Sequence, residues 1–177
     1  MRFSTRADLL GNGSLCPQTE FACPYGNHLT NASSDTERKI FFDVDYTLLG
    51  VDGSLRPLAR EILQRLVDDG HQLYVWSGNG IRWRDIRKHD LESLVIDCIE
   101  KPVSDYVNAV AILDVKPDLV VDDDLEIVAA LGGVWARTYY FPNSRDTGLE
   151  DVYRVIQEWA QHGVSDDPQF RAPSRSL

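Results

Sequence analysis

Lys39-Ile40-Phe41-Phe42-Asp43-Val44-Asp45-Tyr46-Thr47-Leu48-Leu49 decides the fold of this chain. Three apolar residues run without a break into Asp43, and a second acid follows two positions on. A short apolar run bounded by polar residues fits a strand covered on both faces. A carboxylate at the end of such a strand is costly to bury unless it is paired or bound to metal. The stretch therefore predicts a buried strand that ends in chemistry.

Working outward, four more runs read as strands: Gln72 to Ser77, Leu94 to Ile99, Asp118 to Asp122, and Gly133 to Tyr140. Between and after them lie helical patterns over Pro57 to Asp69, Ile81 to His89, Ser104 to Leu113, Leu125 to Leu131 and Leu149 to His162. Leu58, Ile62, Leu63 and Leu66 fall at helical spacing, and Gly70 is a stop signal. Strands alternating with helices predict an α/β fold: a Rossmann-like, doubly wound, mostly parallel five-stranded sheet in a three-layer sandwich. Ligands of such sheets bind at the carboxyl ends of the strands.

Composition divides the chain into three. Residues 1–37, rich in Gly, Ser, Asn, Thr and Pro, read as a flexible leader. Residues 38–163 form the core domain, and 164–177, polar with two prolines, read as a flexible tail. The chain has 177 residues, with 43% apolar and 26% charged, which is ordinary for one soluble domain. Asp and Glu outnumber Lys and Arg by 28 to 18, and the net charge of -10 argues against a nucleic-acid surface. No run of 18 apolar residues exists to span a membrane, and the first ten residues lack a signal peptide's apolar core. Three cysteines make no disulfide framework, so a reducing cytoplasm is the expected compartment. Cys16, Cys23 and His28 lack the four-ligand, tightly spaced pattern of a structural zinc site. Cys98 reads as a buried small hydrophobe.

The acids and hydroxyls sit at the ends of separate strands: Asp43 and Asp45, then Ser77, then Asp122 to Asp124. Five carboxylates on one edge would repel one another, and a hard divalent cation, magnesium above all, resolves that conflict. Lys101, beyond the third strand, is placed to complete the neutralisation. Lys116 also stands before proline, but it lies six residues before Asp122 and leaves no room for the intervening helix. Asp124 reads as a helix N-terminal residue rather than a ligand, and Trp76 and Trp83 read as core.

These residues resemble the haloacid dehalogenase superfamily of hydrolases. Phe42-Asp43-Val44-Asp45-Tyr46-Thr47 is similar to its first motif, Ser77 to its second, Lys101 to its third, and Asp122-Asp123 to its fourth, in order over roughly residues 38–140. The resemblance implies a phosphatase in which Asp43 attacks phosphorus to form an aspartyl-phosphate. Asp45 would protonate the leaving oxygen and then activate water. Magnesium would be held by Asp43, the Asp45 backbone carbonyl, and one or both of Asp122 and Asp123. Ser77, Lys101 and Thr47 would serve the phosphoryl group, Thr47 by stabilising the nucleophile loop. The second acid, Asp45, favours phosphoryl transfer over dehalogenation, whose leaving halide needs no proton. Tyr46 stands where many members have glycine. No insert is long enough for a cap domain, which suits a large phosphorylated substrate such as a protein, or a metabolite enclosed by a partner subunit. The alternative is a non-catalytic phospho-ligand-binding protein of the same fold. A phospho-acceptor signalling domain has its acids in another order, and no Gly-x-Gly-x-x-Gly follows the first strand to bind a dinucleotide.

Overall fold

The computed structural model describes residues 37–172. The expected leader and the Cys16, Cys23 and His28 group lie outside those residues, apart from residue 37. The chain alternates strands and helices: β1 Lys39–Asp43, α1 Ala59–Asp68, β2 Gln72–Ser77, α2 Trp83–Lys88, β3 Asp97–Glu100, α3 Tyr106–Ala111, β4 Leu119–Asp122, α4 Leu125–Leu131, β5 Gly133–Trp135, α5 Gly148–His162 and β6 Phe170–Arg171. One sheet holds all six strands in the order β3-β2-β1-β4-β5-β6. β1 to β5 are parallel, and β6 runs antiparallel along β5. The fold is a mixed α/β sheet flanked by helices, and the successive connections from β1 to β6 carry one helix each.

Period-2 alternation explains the two cores. Ile40 and Phe42 of β1, with Leu73, Val75, Leu119, Val121 and Val134, face α1, α2 and α5 through Ile62, Leu63, Leu66, Ile86, Val152, Val155 and Ile156. Phe41, Tyr74, Trp76 and Val120 point the other way, against Val110 of α3 and Ile127, Val128 and Leu131 of α4. Both faces of the central strands are thus covered, which is why they read as unbroken apolar runs. Trp76 is core, and Trp83 packs against the first cluster.

The number of strands and the bounds of two of them differ from the sequence expectation. The sheet has six strands rather than five, because the segment after α5 that was expected to fray returns to the sheet. There Phe170 is buried opposite Val134, and Gln169 donates from its side chain to the Trp135 carbonyl at 2.8 Å. The third strand begins at Asp97, not Leu94. Leu91, Leu94 and Val95 are buried in the α1-side core, but none of them belongs to a strand. Likewise the fifth strand ends at Trp135, and the chain then turns back to the loop after β1, where Tyr139 N–H donates to the Tyr46 carbonyl.

The order of the strands positions the site. From β1 the chain moves outward to β2 and β3, then crosses to β4 and β5 on the other side. Connections leaving β1 and β4 diverge, and a crevice opens at their carboxyl ends. Asp43 and Asp122 are the last residues of those two strands. Among the described residues, no helix is long and apolar enough to cross a membrane.

Candidate active site

Asp43 and Asp122 are both buried, and Lys101 joins them. Its Nζ lies 2.5 Å from Asp43 Oδ1 and 3.1 Å from Asp122 Oδ2. Lys101 is delivered by the turn after β3, where its N–H donates to the Ser77 carbonyl at 3.0 Å. Lys116, the other lysine before a proline, is exposed on the approach to β4. Asp122, Asp123 and Asp43 each offer a carboxylate oxygen, and the three oxygens lie within 4.8 Å of one another.

This cluster is electrostatically unsettled without a cation. Burial, then the neighbouring Asp122 charge, pushes the Asp43 carboxyl up, against the pull of Lys101. Burial likewise raises Asp122, and it raises Asp123. Burial alone would push Lys101 down, yet the charges of Asp43 and Asp122 hold it above its ordinary value. One ammonium facing three carboxylates leaves net negative charge in a low-dielectric pocket. An all-oxygen donor set of this kind fits a hard divalent cation.

Asp123 is held from behind. Its N–H donates to Thr47 Oγ1 at 3.0 Å, and its carbonyl accepts from Trp135 Nε1 at 2.9 Å. Thr47 itself is fully buried. Its hydroxyl accepts from the Asp123 N–H and so positions that backbone. Asp124 caps α4, its carboxylate accepting from Glu126 N–H at 2.8 Å, which satisfies one of the free donors of a helix start.

Asp45 has its own set of partners. Its Oδ2 accepts from Ser77 Oγ at 2.7 Å and from Asn79 Nδ2 at 3.1 Å. Arg82 Nη1 reaches both carboxylate oxygens at 2.8 Å, while Arg82 Nε is held by Asp85 at 2.7 Å. Burial works against the charged form of Asp45, but the hydrogen bonds from Ser77, Asn79 and Arg82 outweigh it and lower the carboxyl below its usual range. Ser77 is fully buried and committed to Asp45 and to the Asn79 N–H. Sequence reasoning missed Asn79 and Arg82; the polar residues around Gly78 and Gly80, directly after β2, were the available signal.

The loop carrying Asp45 is braced by Arg56, which is almost wholly buried. Arg56 pairs with Asp146 at 2.6 Å and donates to the Thr47 carbonyl at 3.2 Å. Gly148 leaves room for this arrangement: a Cβ there would lie 2.3 Å from the Arg56 guanidinium and displace it. Asp43, Asp45, Tyr46, Gly78, Asn79, Lys101, Val103, Asp123 and Asp124 line an open cleft of about 350 Å³. The arrangement can neutralise an anion with Lys101 and a cation, present a carboxylate nucleophile, and keep a second carboxylate beside it. No family model, no curated protein and no solved structure matches the chain.

Proposed function

We propose that this protein is a magnesium-dependent phosphoric monoester hydrolase of the haloacid dehalogenase type on a Rossmann-like sheet. The observation that supports it most is the convergence, from the ends of β1, β3 and β4, of Asp43, Lys101, Asp122 and Asp123 within hydrogen-bonding or metal-sharing distance. Asp45 stands beside them as a separate, hydrogen-bonded carboxylate. Magnesium is the ion that the donor set and phosphoryl chemistry favour together. Asp43, Asp122, Asp123 and the Asp45 carbonyl would hold it, and it would neutralise charge on the phosphoryl oxygens.

The residues then divide the work. Asp43 forms a bond to phosphorus as the bond to the leaving oxygen breaks, giving an aspartyl-phosphate. Asp45 gives the leaving oxygen a proton, then takes one from the water that attacks phosphorus. That attack releases inorganic phosphate and restores the Asp43 carboxylate. Lys101 balances the charge of Asp43 and of the transferring group. Ser77, Asn79 and Arg82 hold Asp45 ionised at rest, the form needed to activate water; proton donation requires Asp45 to leave Arg82 and take up a proton, from solvent or from the phosphate monoanion, before the leaving oxygen departs. With one helix per connection and no cap-sized insert between β1 and β5, the site stays open, which suits a large phosphorylated substrate or closure by a partner subunit. We assign the cytoplasm on cysteine usage.

The test is hydrolysis of p-nitrophenyl phosphate with magnesium, by the wild type and by Asp43→Asn. Turnover that needs both the ion and Asp43 is the expected result. Binding of phosphate without turnover would point instead to the non-catalytic alternative.

A further inference from the structure

One aromatic residue, Tyr46, lines the cleft beside Asp43 and Asp45, and the phosphoryl chemistry makes no use of it. Its ring stacks on Tyr140, with centroids 5.0 Å apart and planes 30° apart. Tyr140 in turn meets Phe141 edge to face at 4.8 Å. Tyr140 is 43% exposed and Phe141 74% exposed, so the three rings form a connected, partly exposed aromatic surface that begins in the cleft at Tyr46. Backbone hydrogen bonds fasten this strip to the nucleophile loop. Tyr46 N–H donates to the Leu49 carbonyl at 2.7 Å, Tyr139 N–H to the Tyr46 carbonyl at 2.6 Å, and Val51 N–H to the Tyr140 carbonyl at 2.9 Å. Tyr46 adopts φ 63, a left-handed conformation that disfavours any residue with a Cβ. A large ring is thus kept at a position where the backbone alone would favour glycine. Val103, 76% exposed, adds apolar surface to the same cleft.

We propose that the substrate is an aryl phosphomonoester whose ring packs against Tyr46, propped by Tyr140 and Phe141; this rests on the phosphatase reading above. Placement carries the inference. Tyr46 lines the same cleft as Asp45, the group that serves the leaving oxygen, so a ring bonded to that oxygen is within its reach. The Tyr46 ring and Val103 offer such a ring apolar contact and stacking geometry that a glycerol group cannot use. In the reaction, the Asp43–phosphorus bond forms as the phosphorus–oxygen bond to the aryl group breaks, and the aryl oxygen leaves as a phenol with the proton from Asp45.

The experiment compares kcat/KM for 2-naphthyl phosphate and glycerol 3-phosphate, with magnesium, in the wild type, Tyr46→Phe, Tyr140→Ala and Phe141→Ala. The wild type is expected to prefer the naphthyl ester, and Tyr46→Phe to keep that preference. Tyr140→Ala should lower kcat/KM for the naphthyl ester by about tenfold, mainly through KM, and leave glycerol 3-phosphate within about twofold. Phe141→Ala, at a surface position, should give about a threefold loss on the naphthyl ester alone, and it decides the matter if Tyr140→Ala does not fold. Equal loss on both substrates, or loss on neither, overturns the aromatic subsite while leaving the phosphatase reading in place. Turnover of neither substrate by the wild type overturns that reading and this inference with it.

Discussion

Asp43 and Asp45 sit two positions apart in sequence but in opposite electrostatic settings. Asp43 shares a buried cluster with Asp122 and Lys101, while Asp45 is saturated by three donors. Asp43→Asn keeps the shape and removes the proposed nucleophile, so turnover should fall below a few per cent of wild type with the circular dichroism spectrum unchanged. Burial pushes the Cys98 thiol up to about 12, which leaves almost no thiolate near neutrality. Iodoacetamide should therefore leave Cys98 unlabelled in the native protein and label it once the chain is unfolded, as read by peptide mass spectrometry. At this scale the cluster of Asp43, Lys101, Asp122 and Asp123 was legible in the sequence, because strand ends are fixed by apolar runs that can be seen. The tether on Asp45 was not. Asn79 and Arg82 act through the path of the loop after β2, and no periodicity reports where a loop returns its side chains.

Helices and the inner strands were legible to within a few residues, since each carries its apolar pattern. The ends of the sheet were harder. β6 is only two residues long, and its evidence is a single buried Phe170 and the side chain of Gln169, which a polar, proline-containing tail conceals. Leu94 and Val95 read as strand because burial and pairing leave the same apolar signature. Gly133 opens β5 at φ 152, and a Cβ there would lie 2.0 Å from the Val120 carbonyl oxygen. Gly133→Ala should destabilise the fold by about 3 kcal/mol through overpacking and backbone strain, measured as a lower denaturant midpoint. Arg56 joins the Thr47 loop to the residues before α5 through Asp146. Asp146→Ala leaves a buried guanidinium without its partner and should cost about 3 kcal/mol, with activity falling as the loop loosens; an unchanged midpoint would show that the pair holds nothing in place.

For the whole molecule, the acid cluster couples stability to pH and to metal. Unfolded carboxyls titrate near 3.8, whereas the folded Asp43 is raised to about 8 and Asp122 to about 6, by burial first. Across that window the native state holds more protons than the unfolded state, so the stability of the metal-free protein should fall as pH rises. Groups lowered in the folded state, such as Asp45 and Asp167, lose their contribution only as pH falls below the ordinary carboxylate range and so do not reverse the trend. Thermal scans in chelator between about pH 5 and about pH 8 should show Tm declining. Magnesium at about a hundredfold excess over its Kd should add about 2.7 kcal/mol and flatten that decline, and Asp123→Asn should shrink the gain. A metal-free Tm that rises over the same window would show that the three carboxylates are not competing for protons.

Phosphorylation of Asp43 during turnover, the step on which the proposed mechanism rests, can be read directly. Mixing excess enzyme with substrate and magnesium, quenching in acid and reducing with borohydride converts an aspartyl-phosphate to homoserine, which peptide mass spectrometry can place on the chain. The account predicts homoserine at position 43 in the wild type, dependent on substrate and magnesium. Turnover with no modification at position 43, or with modification at another carboxylate, would contradict it.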